Sequence, residues 1–220
     1  MKNIKVIIFD AYGTLFDVNS AAEKCKLKIG EKWKNFSNYW RTTQLEYTWL
    51  RSLMKRHKDF WQVTEDSLDK SMHEYSIDVS MRDELLNLYK VLSTFPEVKE
   101  VLKKLKEKNY KLAILSNGTP SLLNELVKSN NLVNIFNDIF SIEEVGIYKP
   151  ASKVYDIPIK KYKVQKKEVI FLSANTLDVS GGGNYGYNSI WVNRSNNTFD
   201  KLDYKPKYQV KSLNEILDLI

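Results

Sequence analysis

Val6-Ile7-Ile8-Phe9-Asp10-Ala11-Tyr12-Gly13-Thr14 is the stretch whose reading decides the fold. Four consecutive apolar residues are too few for a helix and too unbroken for a strand with one wet face. They fit a strand buried on both faces of a parallel sheet. An acidic residue follows at once, then a glycine-bearing loop. The arrangement recurs twice: Leu112-Ala113-Ile114-Leu115 runs into Ser116-Asn117-Gly118, and Val169-Ile170-Phe171-Leu172 runs into Ser173-Ala174-Asn175. Ser189-Ile190-Trp191-Val192 reads as a further strand, and Ile139-Phe140 as another short one.

Helical patterns separate these runs, so the chain alternates β and α and is expected to form a doubly wound, parallel α/β sheet. Ligands of such sheets bind in the crevice beyond the carboxyl ends of the strands, where the three polar clusters fall. Between about Val18 and Thr94 the alternation stops. Consecutive helices are expected over Trp33–Lys55, Thr64–Tyr75 and Ser80–Ser93, with N-caps at Thr64 and Ser80. The expected organisation is therefore a core of residues 1–17 and 95–220, with residues 18–94 inserted as an all-helical cap over the crevice. Pro158 is expected to kink or end a helix over Ser152–Tyr162.

Composition narrows the function classes. With 220 residues, 43% of them hydrophobic, the chain can bury a sizeable core, and thirteen Tyr, nine Phe and five Trp exclude disorder. Net charge is +7, but the lysines lie in mixed segments such as Glu97–Lys108. There Val98, Val101, Leu102 and Leu105 share one helical stripe and the charges fill the other side. A nucleic-acid binder gathers its charge on one face or tail, so nucleic acid is not an expected partner, whereas small anionic substrates are compatible.

A lone Cys25 excludes an internal disulfide and a multi-cysteine metal cluster. The two histidines, His57 and His73, lack metal-ligand spacing, and a Ser-His-Asp triad is not expected. No glycine pattern matches a dinucleotide or P-loop fingerprint. No apolar run approaches the roughly 20 residues of a membrane span. The run after Lys2, Val6–Phe9, is too short for a signal-peptide core. A cytoplasmic protein without a membrane partner is the expectation.

A carboxylate at a strand end beside a glycine loop can point into the crevice and act as a nucleophile; taken alone, Asp10 could equally cap its turn. The whole set says more. Asp10-x-Tyr12-Gly13-Thr14, Leu115-Ser116-Asn117-Gly118, Tyr148-Lys149-Pro150 and Phe171-Leu172-Ser173-x-Asn175-x-x-Asp178 stand in the order of the four motifs of the haloacid dehalogenase superfamily, which this chain resembles over almost its whole length. The helical insert falls where that superfamily carries its cap. Its phosphatases typically have a second Asp two residues after the nucleophile and an acidic cluster in the fourth motif for Mg²⁺, a hard cation that wants carboxylates. Here those positions hold Tyr12 and Ser173, leaving only Asp178. A halide leaving group needs no proton. Tyr39–Met54, residues 44–54 above all, is similar to the cap helix of the (S)-2-haloacid dehalogenases.

That resemblance implies hydrolysis of (S)-2-haloalkanoic acids to (R)-2-hydroxyalkanoic acids, without metal or cofactor, by a homodimer. It implies Asp10 as the nucleophile that forms an ester with inversion, Thr14 and Ser173 as its orienting partners, and Lys149 as a group interacting with the nucleophile or ester. Asp178 would position or activate the hydrolytic water, and Arg41 with Asn175 would receive the halide. Tyr12, Gln44, Leu45 and Phe60 would shape the pocket, Ser116 and amides beside Asn117 would take the substrate carboxylate, and Tyr155 would support Lys149 or the carboxylates. Residue by residue the blander readings are a surface arginine, a surface lysine, a helix cap at Asp178 and a core tyrosine at Tyr155. Positions 37, 38, 44 and 45 offer Arg41 no carboxylate for a local helical ion pair. Leu177 departs from the family pattern, where many members have Trp, and is expected to alter pocket size. Two rival functions stay open: a Mg²⁺-dependent phosphohydrolase of the same superfamily, and a catalytically idle core that binds an anion or a partner.

Overall fold

In the computed structural model, which describes residues 3–220, β1 (Val6–Phe9) is buried along its whole length. Positions 1 and 2 of the expected core segment lie outside the described residues. After β1 come five helices: α1 (Ser20–Lys24), α2 (Lys26–Ile29), α3 (Trp33–Leu53), α4 (Phe60–Glu74) and α5 (Arg82–Lys90). The alternation then resumes with α6 (Val98–Glu107), β2 (Lys111–Ser116), α7 (Pro120–Ser129), β3 (Asp138–Ser141), α8 (Ser152–Tyr162), β4 (Val169–Ser173), α9 (Thr176–Tyr185), β5 (Asn188–Val192) and β6 (Tyr208–Val210). The strands form one parallel sheet in the order β3-β2-β1-β4-β5-β6. The architecture is the expected doubly wound α/β core with an inserted helical cap.

Register places the chemistry. Phe9 pairs with Ile114 on one side and Leu172 on the other. The carboxyl ends of the three central strands are therefore level, and Asp10, Ser116 and Ser173 emerge along one rim. The Asp10 amide continues the ladder, donating to the Leu172 carbonyl at 2.8 Å. Helix α6 buries the predicted stripe of Val98, Val101, Leu102 and Leu105 completely. Each such side chain contributes up to about 1.5–3 kcal/mol.

The cap is tied to the core at both ends. The two crossing segments lie antiparallel, with the Asp17 amide donating to Ser93 O at 2.8 Å and the Phe95 amide to Leu15 O at 3.1 Å. Across the rim, Tyr148 donates its hydroxyl to Lys58 O at 2.6 Å, and His57 meets Glu143 at 2.9 Å. Among the described residues no helix is long and apolar enough to cross a membrane.

Some local expectations fail for identifiable reasons. Of the two outcomes expected at Pro158, ending is excluded: α8 runs on through it to Tyr162. The ring costs one backbone hydrogen bond, but Val154, Tyr155, Ile157 and Pro158 are all buried, and that packing holds the helix together. α4 starts at Phe60 and is capped by Asp59, whose carboxylate accepts the Gln62 amide at 2.9 Å. Thr64, the expected cap, lies inside the helix and donates back to Phe60 O at 2.7 Å. Asp78 rather than Ser80 caps the turn that leads into α5. β6 was not foreseen, because three residues carry no readable alternation.

Candidate active site

The carboxylate of Asp10 leaves the end of β1 and is 7% exposed. Thr14, one loop turn later, donates to Asp10 Oδ2 at 3.0 Å, and Ser173 at the end of β4 donates to the same oxygen at 3.4 Å. Each of these hydroxyls is itself held: Thr14 Oγ1 accepts the Ala174 amide at 2.8 Å, and Ser173 Oγ accepts the Asn175 amide at 3.1 Å. The glycine of this loop, Gly13, has φ +86°, a conformation that favours glycine and lets the chain turn back within three residues. Two strand ends thus fix one oxygen of the carboxylate.

Asp10 Oδ1 faces Lys149. The ammonium lies 3.0 Å from Asp10 Oδ1, 2.8 Å from Asp178 Oδ2 and 2.7 Å from Leu115 O, with all three groups buried. Burial works to lower the Lys149 pKa, but the two carboxylates outweigh it and hold the group above its ordinary value. Asp178 sits in the first turn of α9, whose N-cap is Asn175. Its pKa is raised: burial is the main cause and the Asp10 charge adds to it, while Lys149 and the Tyr155 hydrogen bond pull the other way. Tyr155, fully buried on α8, donates to Asp178 Oδ1 at 2.7 Å, and burial followed by the Asp178 charge raises its phenol pKa far enough that it stays a donor.

Arg41 comes from the cap. One guanidinium nitrogen donates to Gln44 Oε1 at 2.8 Å and another reaches toward Tyr12 O at 3.5 Å. Gln44 in turn donates to Thr64 Oγ1 at 2.7 Å and to Tyr89 OH at 3.0 Å, so a buried polar chain aims the guanidinium at the core. Spacing alone put Arg41 and Gln44 on one helical face. The sequence did not reveal that Tyr89, from α5, would close the network.

These groups surround a small, partly open cavity of about 20 Å³, room for about one water. Asp10, Tyr12, Arg41, Leu45, Phe60, Ser116, Asn117, Lys149, Asn175 and Asp178 line it, along with Trp49 and Leu177. Thr14 and Ser173 stand one bond behind, on Asp10. Gln44, expected to shape the pocket, does not line the cavity: it lies behind Arg41, because Arg41, Thr64 and Tyr89 take its amide. Tyr155 also lies outside the lining, behind Asp178, where its hydroxyl donates to one of the carboxylates it was expected to support. Trp49 had no assigned role, although it stood within the quoted cap helix. The Ser116–Gly118 turn leads into Thr119 and Pro120 at the start of α7, and a helix N-terminus favours an anion. Ser116 Oγ accepts the Gly118 amide at 3.1 Å, which leaves its proton directed elsewhere. Among the described residues no group of three or more His, Cys, Asp or Glu is placed to hold a metal ion.

A buried strand-end carboxylate, a lysine bridging it to a second carboxylate and an inserted helical cap define a hydrolase of one class. The sequence model of the haloacid dehalogenase-like hydrolases matches residues 4–186, and the chain belongs to that family. It is 37% identical to the (S)-2-haloacid dehalogenase of Pseudomonas sp. strain YL, over 100% of this chain and 95% of that protein. It is 36% identical to (S)-2-haloacid dehalogenase 4A of Burkholderia cepacia, over 99% and 95%. The solved L-2-haloacid dehalogenase of Xanthobacter autotrophicus with chloropropionic acid covalently bound superposes with a TM-score of 0.91 at 30% identity, covering 98% of each chain.

Proposed function

We propose that this protein hydrolyses (S)-2-haloalkanoic acids to (R)-2-hydroxyalkanoic acids through an ester on Asp10. The observation that carries the reading is a cavity in which the carboxylate of Asp10 and the guanidinium of Arg41 face one space, with Tyr12 where an acid for an oxygen leaving group would stand. The names of the relatives and the covalently bound chloropropionic acid of the Xanthobacter enzyme support it.

The substrate carboxylate sits at Ser116 and the amides beside Asn117. Asp10 attacks C2 from the side opposite the halogen, the new C–O bond forms as the C–X bond breaks, and C2 inverts. The halide departs with the bonding pair toward Arg41 and Asn175, and needs no proton. Lys149 balances the carboxylates before displacement and stays beside the ester after it. A water then gives a proton to Asp178, and its oxygen attacks the carbonyl carbon of the Asp10 ester. The tetrahedral adduct collapses, the departing alkoxide takes the proton from Asp178, and the remaining acid proton of Asp10 goes to solvent. One halide and one proton are released per water consumed. Because the second attack is on the acyl carbon, C2 keeps the configuration set in the first.

The test is halide release from (S)- and (R)-2-chloropropionate with excess EDTA. Chloride is expected from the (S) acid only, at a rate unaffected by the chelator. No release from either enantiomer would overturn the reading, and a panel of phosphate esters with Mg²⁺ would then test the phosphohydrolase alternative.

The same proposal takes the protein as a cytoplasmic homodimer acting on a small molecule, with neither nucleic acid nor membrane as partner. Support for the dimer comes from Leu50, Leu53 and Met54, exposed together at the end of α3. Sedimentation at twice the chain mass is expected, and a monomer at micromolar concentration would remove that part of the proposal. The single cysteine fits a reducing compartment.

A further inference from the structure

We infer that Leu177 is a movable partition between the reaction cavity and an outer groove, and that the groove takes the alkyl tail of longer 2-haloalkanoic acids. The inference rests on the dehalogenase reading above and specifies the substrates of that site.

The cavity holds about one water, so a 2-haloacid with three substituents on C2 requires a wall to give way. Two walls have open space behind them. On the polar side Tyr12, Arg41, Leu45 and Asn175 are shared with a cleft of about 610 Å³ whose rim carries Asp17, Asn193, Arg194 and Asp200. On the other side a single residue, Leu177, is shared with a groove of about 600 Å³.

The two walls differ in what holds them. Arg41 is anchored by Gln44, and Asn175 Oδ1 accepts the Leu177 amide at 3.0 Å. Tyr12 is buried against Phe60 and stacked on Tyr89. The Leu177 side chain has no hydrogen bond to lose and keeps an exposed edge, in the first turn of α9. Moving it costs a rotamer change and the packing of its covered part, with no polar group left unpaired.

The groove behind it offers an apolar strip to such a chain. Pro150, Leu177, Gly181, Tyr185 and Leu202 line it, with Ser152, Lys166, Ser180 and Asn184 among them. A Cβ at Gly181 would come within 2.6 Å of Pro150 Cβ and 2.5 Å of the Tyr155 hydroxyl, so glycine here lets α9 lie directly against the start of α8. A Cβ at Gly183 would collide with the Tyr204 ring, which seats the loop carrying Leu202 on the same helix. Leu202 remains 40% exposed, an apolar surface left at the groove wall. With the halide held at Arg41 and Asn175 and the carboxylate at Ser116 and Asn117, the uncharged substituent of C2 takes the Leu177 side. Each methylene moved out of water is worth up to about fourfold in binding.

The experiment compares kcat/KM for halide release from (S)-2-bromohexanoate and (S)-2-bromopropionate, using wild type, Leu177→Trp and Leu202→Asp. Wild type is expected to use the hexanoate at least as well as the propionate. Leu177→Trp, which blocks the passage, and Leu202→Asp, which puts a charge on the groove wall outside the cavity, are each expected to lower the hexanoate-to-propionate ratio about tenfold or more. A ratio unmoved in both variants overturns the inference, as does a wild type active on the propionate and inert toward the hexanoate. Folded wild type that releases bromide from neither acid overturns the dehalogenase reading itself.

Discussion

Asp10→Ala is expected to lower halide release from (S)-2-chloropropionate by at least ~10⁴-fold, the scale on which removing a covalent nucleophile acts. No neighbour can replace it. Asp178 is the other carboxylate of the cavity, but it lies across Lys149 from Asp10 and serves the hydrolytic water in the proposed reaction. Asp10→Asn keeps the shape and the acceptor for Thr14 and should be equally inactive, which separates lost chemistry from lost packing. A single turnover of wild type in H₂¹⁸O gives the positive counterpart. Water attacks the acyl carbon, so the label should enter the Asp10 carboxylate and leave the first equivalent of product unlabelled. Label in the first product would mean that water attacks C2 directly and Asp10 is a base.

Lys149→Met has the second largest expected effect, and it acts on stability as well as rate. The substitution leaves Asp10 and Asp178 buried and facing each other without the cation between them. Breaking a buried pair from one side costs about 3–5 kcal/mol, because the remaining charge is uncompensated. We expect a loss of about 3 kcal/mol in urea unfolding at pH 7, and kcat lowered by at least ~10²-fold with the protein still folded. The pH dependence carries a sign. Asp178 has a folded pKa above its unfolded value, so the ionised group lowers stability above that folded pKa and protonation relieves the cost as pH falls. The deficit of Lys149→Met should therefore shrink toward acid pH. Lys149, also raised, contributes stability that is complete below the unfolded lysine value of about 10.4 and is lost as pH rises through its folded pKa. A deficit that is constant from pH 4 to pH 8 would contradict this account of the bridge.

Sequence alone determined the three central strands and the rim. Val6–Phe9, Leu112–Leu115 and Val169–Leu172 are apolar without a break, a pattern that only a strand covered on both faces can use. The polar residue closing each run had to fall at a strand end. The motif order then supplied Lys149 and Asp178, which stand 139 and 168 positions beyond Asp10 and share no local pattern with it.

Tertiary structure decided everything that depends on what stands behind a side chain. α8 survives Pro158 because its buried neighbours hold it, and aspartates upstream of the expected caps take the free amides of α4 and of the turn that leads into α5. Gln44 left the pocket for a bond to Arg41 once Thr64 and Tyr89 closed around its amide. Leu177, read from the chain only as a departure at a wall position, lies between two spaces because α8, α9 and the loop of Leu202 meet there. Local sequence encodes periodicity and the hydrogen bonds a residue can make. Which partner takes them, and what space is left over, is set by elements far apart in the chain and fixed only when they pack.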